Sequence, residues 1–87
     1  MSSNKNNKIA NSITPKQCKA ARAFLGWSQQ DLADKVRVVQ KTIADFEREA
    51  RTPQRRIAED IRTIFEEAGI KFKNKNGVSG VEIIEKE

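Results

Sequence analysis

The feature that most constrains this chain is the spacing of its helix-start signals. "TPKQ", "SQQD" and "TPQR" begin at Thr14, Ser28 and Thr52, each with a hydroxyl residue ahead of helix-forming sequence. Gly26 and Gly69 stand where the first and the last of these segments run out. The middle segments are too short to be stable alone in water, so they must lean on neighbours. The sequence therefore predicts a bundle of short helices around one core.

In the first segment Thr14 is the cap, Pro15 suits the first helical position, and Gln17 completes a Thr-x-x-Gln capping box. Ile13 and Cys18 form the two ends of a hydrophobic staple. Cys18, Ala21, Phe24 and Leu25 recur at helical spacing, which makes Cys18 core filling and not a reactive thiol. In the second segment Ser28 caps, Asp31 favours the first turn, and Trp27 staples onto Leu32. Leu32, Ala33 and Val36 make its buried stripe.

"VRVVQKTIADFE" then changes period midway: its β-branched start reads as a turn, and a third helix follows. With Ile43 at the centre of the wheel, Val39, Phe46, Glu47 and Ala50 share its inner side. Lys41, Asp45 and Arg48 face out, flanked by Gln40 and Ala44. In the fourth segment Thr52 is the expected cap, Pro53 the first residue, and Ile57, Ile61, Ile64, Phe65 and Ala68 the apolar stripe. Beyond Gly69, "IKFK" alternates, "NKNG" is turn chemistry and "VSGVEII" is β-branched, which predicts a short β-hairpin. Residues 1–12, polar and rich in Asn, Lys and Ser, read as a disordered arm.

At 87 residues there is room for one modest core. The 17 Lys and Arg against 12 Asp and Glu leave a formal charge of +5, which favours a polyanionic partner. With a single cysteine no internal disulfide can form, which suits a reducing cytoplasm. The absence of His removes any His/Cys metal site. There is no Tyr and no glycine-rich phosphate loop, so neither an enzyme nor a cofactor is expected. No apolar run is long enough to span a bilayer or placed to act as a secretory signal.

Two short helices joined by a tight turn, the second polar on its outer face, describe a helix-turn-helix. The stretch "LGWSQQDLADKVRVVQKTIADFEREARTP" resembles the phage-repressor (Xre/Cro-type) helix-turn-helix family. Leu25-Gly26, Ser28-Gln29, Leu32-Ala33, Val38, Thr42-Ile43, Phe46-Glu47 and Thr52-Pro53 fall at the family spacing. The resemblance covers residues 13–70, and the ending is similar to the short β-tail of compact bacterial members. It implies a mainly α fold: a compact four-helix, lambda-repressor-like domain over residues 13–69. Residues 70–87 would be a C-terminal β-tail.

The resemblance also implies roles. Gln40 and Lys41 would open the recognition helix against base edges, with Ala44 and Asp45 one turn on. Gln40 suits adenine, Lys41 guanine or a phosphate, and Thr42 a thymine methyl. Asp45 either accepts from cytosine or, preferably, pairs with Lys41 one turn earlier. Gln29 would bond a DNA phosphate. Apart from the resemblance, Arg48, Arg51, Arg55 and Arg56 cluster after the recognition helix as phosphate candidates, and Arg37 at the turn is positioned to reach the backbone at the groove's edge. Arg22 would pair with Glu47, a match the wheel supports, because a lone carboxylate on the core side is costly.

Two positions depart from the family pattern. Arg37 stands where a left-handed glycine is usual, and Val39 where a capping Ser or Thr is frequent. Each departure costs on the order of 1 kcal/mol and predicts a strained or remodelled turn. The expected function is a sequence-specific regulator of transcription, a repressor binding an inverted-repeat DNA operator as a homodimer in the cytoplasm. The β-tail would either dimerise or fold back on the last helix. The alternative is an antitoxin-type protein that autoregulates through the same motif and masks a protein partner.

Overall fold

A computed structural model of the chain describes residues 13–75 and 78–83. Helix α1 spans Pro15–Leu25, α2 Gln29–Val36, α3 Gln40–Glu47 and α4 Arg55–Glu67. The molecule is mainly helical. Two of the three hydroxyl caps close as the sequence predicts. Thr14 Oγ1 accepts the Gln17 amide at 3.1 Å, and Gln17 Oε1 accepts the Thr14 amide at 2.9 Å. Ser28 and Asp31 make the same reciprocal pair on α2, both bonds at 2.9 Å.

The third cap does not form. Helix α4 opens two residues later than expected, with Gln54 at its cap position and no side-chain bond there. Thr52 is exposed and Pro53 precedes the helix. Residues 51–54 serve instead as the span from α3 to α4, and helix begins only near the apolar stripe at Ile57.

Three helices end alike. Gly26, Arg37 and Glu49 all take left-handed backbone, with φ of 73°, 68° and 62°. In each case the next amide reaches back to close the end: Trp27 to the Arg22 carbonyl (3.0 Å), Val38 to Ala33 (3.0 Å) and Ala50 to Asp45 (2.8 Å). Only the first uses glycine. The turn is thus not remodelled around Arg37; the left-handed conformation is retained and its strain accepted, at about 1 kcal/mol.

The core lies where the four helices converge. Cys18, Leu32, Ile43, Ile61 and Phe65 are fully buried, joined by Ala21, Ala33, Val36 and Phe46. Trp27 stacks on Phe65 with ring centres 5.6 Å apart, and Phe65 meets Phe72 edge-on at 6.0 Å. Phe72 belongs to strand β1 (Ile70–Lys75), which pairs antiparallel with β2 (Val78–Ile83), Ile70 opposite Ile83 and Phe72 opposite Val81. Ile70 and Phe72 are buried, so β1 packs back on α4, while β2 runs beside α1. Asn74 and Lys75, expected in the turn, belong to β1. The expected arm over 1–12, the joining residues 76–77 and the last residues, 84–87, lie outside the described residues.

Three apolar positions expected on the core side are exposed. Phe24 is 52% exposed because it sits one residue, about 100°, off the stripe of Cys18, Ala21 and Leu25. Val39 is 67% exposed because it precedes α3 in extended backbone, where helical angles do not apply. Ala50 is exposed because left-handed Glu49 has already turned the chain away. Among the described residues no helix is long and apolar enough to cross a membrane.

Candidate functional site

Helix α3 is fixed in rotation by Ile43 and Phe46, both buried against the other helices. The same inner side carries Glu47, whose side chain is only 3% exposed. Burying a carboxylate is unfavourable unless donors surround it. Four bonds meet it here. Arg22 grips it with Nε on Oε2 and Nη2 on Oε1, both at 2.7 Å. Cys18 Sγ donates to Oε2 at 3.1 Å and Gln29 Nε2 to Oε1 at 3.1 Å. Burial pushes the Glu47 carboxyl up, but the bonds from Arg22, Cys18 and Gln29 outweigh it and leave it below its ordinary value. Hydrogen bonding to Glu47 raises Arg22 in turn. Burial, then the bond to Glu47, drives the Cys18 thiol far up, so it stays a neutral donor.

This anchor reaches the surface through Gln29. Gln40 Nε2 donates to Gln29 Oε1 at 2.6 Å, so one hydrogen-bonded chain runs from Arg22 through Glu47 and Gln29 to the first residue of α3. Gln29, expected at a phosphate, sits between Glu47 and Gln40; each of its amide atoms keeps one further bonding direction. The Gln40 carbonyl oxygen and one of its amide hydrogens remain available. The Arg22–Glu47 pair is the one the resemblance implied. The sequence carried no signal for the onward links through Gln29 to Gln40, because only the packing of α2 on α3 joins them.

Asp45 corrects an expectation. It is only 7% exposed, although the wheel turns it outward. The reason is the closure of α3: the Ala50 and Arg51 amides both bond the Asp45 carbonyl, at 2.8 and 3.4 Å, and fold the following segment over it. Its carboxylate accepts Lys41 Nζ at 2.9 Å and Arg48 Nη2 at 2.5 Å. Arg48 first and Lys41 second hold it below the usual carboxylate range. The pair with Lys41 is the one preferred from the sequence, and Arg48 joins it, so Asp45 holds two cations in place. The side chains of Lys41 and Arg48 are 75% and 64% exposed.

Ala44 is half-buried beside Gln40 on the outer side. Arg37, Arg51, Arg55 and Arg56 are all exposed. Arg55 pairs with Glu59 at 3.4 Å one turn on, an exposed contact of little energetic weight. Val39, Lys41, Thr42, Asp45, Arg51 and Pro53 line an open cleft of about 200 Å³ between α3 and the segment after it. Val39 is the residue of this surface that the sequence reading assigned to the core. Among the described residues no group of three or more His, Cys, Asp or Glu could hold a metal ion.

No model of a known protein family matches the chain, and no curated protein is significantly similar to it.

Proposed function

We propose that the chain binds double-stranded DNA sequence-specifically as a helix-turn-helix regulator of the phage-repressor type, with α3 laid in the major groove. The observation that carries this reading is the division of α3. Ile43, Phe46 and Glu47 clamp one side to the body, while Gln40, Lys41 and Arg48 stand exposed on the other. A helix of this length extends about 12 Å, and the major groove is about 12 Å wide. The +5 charge supports a polyanionic partner, with exposed arginines at 37, 51, 55 and 56 on either side of α3.

Each group then has a task. The relay through Gln29 fixes the Gln40 amide, which presents a donor and an acceptor suited to adenine. Lys41, steadied by Asp45, donates to guanine or a phosphate. Arg37, Arg51, Arg55 and Arg56 neutralise the backbone without reading sequence. A single module of this size buries little surface, so two copies would act on an inverted repeat with half-site centres about 34 Å apart. Occupying such a site would block transcription, which makes repression the simplest output.

Selection of bound fragments from random duplexes at near-physiological salt tests this. The expected result is an enriched site with two-fold symmetry. Q40A should then weaken the selected site by about 1–3 kcal/mol and relax one position, whereas R56A should weaken all duplexes alike with a shallower salt dependence. A pool that stays random after repeated selection would overturn the proposal.

A further inference from the structure

Val39 stands out against the rest of the molecule. It occupies the cap position of α3, where Ser, Thr, Asp or Asn would bond a free helix amide, and it makes no such bond. It is also 67% exposed, while its neighbour Val38 packs on the core. Neither helix formation nor core packing accounts for a valine there. We infer that Val39 is a specificity-determining residue that takes the 5-methyl group of a thymine in the major groove.

The inference rests on the DNA-binding reading above and is carried by the surroundings of Val39. The cleft beside it combines Thr42 and Pro53 with the cations Lys41 and Arg51. Its one acid, Asp45, is already neutralised by Lys41 and Arg48. The cleft thus suits a small apolar group borne on a polyanion. Among the groups that base edges present in the major groove, the thymine methyl is the apolar one. The neighbouring hydrogen-bonders are partly committed, Gln40 to Gln29 and Lys41 to Asp45, whereas Val39 is open. An apolar contact at this position would distinguish thymine from cytosine with no hydrogen bond at all.

The test uses the full chain and the duplex that selection from random sequence yields. Each thymine of the half-site is replaced in turn by deoxyuridine, which removes the methyl and keeps every hydrogen-bonding group. The wild-type chain should lose about four-fold in affinity at one position, the worth of one buried methyl group. V39S should bind the thymine and deoxyuridine duplexes equally. Serine also supplies the missing cap, so V39S should fold at least as well as wild type, and lost methyl sensitivity could not be ascribed to unfolding.

Uniform indifference of the wild-type chain to deoxyuridine would overturn the inference and leave sequence-specific binding standing. So would full methyl sensitivity retained in V39S, or a selected half-site without thymine. Failure to select any site would remove the DNA-binding reading itself, and this inference with it.

Discussion

Asp45 and Glu47 stand two residues apart on one short helix, both covered and both bound to arginine, yet they do different work. Glu47 draws its partners from elsewhere in the fold: Arg22 and Cys18 on α1 and Gln29 on α2. Asp45 draws its partners from its own neighbourhood, Lys41 four residues before and Arg48 three after, and both remain mostly exposed. Long-range bonds of a buried group are lost when the chain unfolds. Local bonds between exposed cations and an acid organise a surface without holding the fold together. One carboxylate therefore anchors the helix, and the other arranges what the helix presents.

Removing each acid in turn should give the largest difference. E47A should destabilise the protein by about 3–5 kcal/mol in urea unfolding, because Arg22 is left partly buried without its partner. D45N should leave the urea midpoint almost unmoved; under the proposed DNA-binding function it should alter affinity and base preference, because Lys41 and Arg48 lose their tether. Equal effects of the two on stability would refute the distinction. Double-mutant cycles sharpen it further: Arg22 with Glu47 should show strong coupling in folding, and Arg48 with Asp45 almost none.

Acid titration bears on the buried carboxylate as well. The folded-state pKa of Glu47 lies below its ordinary value of 4.5, so the folded form holds the proton less tightly than the unfolded chain. Its contribution is fully present above that ordinary value and is lost as pH falls through the depressed folded-state value. Asp31, lowered by its bonds to Ser28, and Asp45, lowered by Arg48 and then Lys41, act in the same direction. Thermal melts of wild type should therefore lose stability as pH falls below about 4.5, the ordinary Glu value, and E47Q should lose less over the same range.

A smaller effect concerns the turn that delivers α3. R37G should raise stability by about 1 kcal/mol, since glycine adopts the left-handed backbone without the strain that arginine bears. If Arg37 also touches the DNA backbone, the more stable R37G protein should bind every duplex more weakly. Loss of stability in R37G would mean that the arginine side chain contributes a contact larger than its strain.

Local chemistry was legible in the sequence wherever cause and effect lay within one turn. The reciprocal caps at Thr14 and Ser28 join residues three apart, and the stripes through Leu32, Ile43, Ile61 and Phe65 follow from 3.6-residue periodicity. The need for a partner at Glu47 was also readable, because a core-side carboxylate cannot stand alone. The wheel failed at Val39 and Ala50 because those residues lie beyond the helix ends, where the backbone no longer turns by helical steps.

Tertiary structure alone decided the rest. The chain from Glu47 through Gln29 to Gln40 joins residues that only the packing of α2 on α3 brings together. The cover over Asp45 depends on how the segment after left-handed Glu49 folds back, and Thr52 lost its capping role because that segment had to reach α4. Periodicity tells which side of a helix is apolar. It does not tell which distant backbone will cross the other side, because that is set by the competing geometry of every element packed at once.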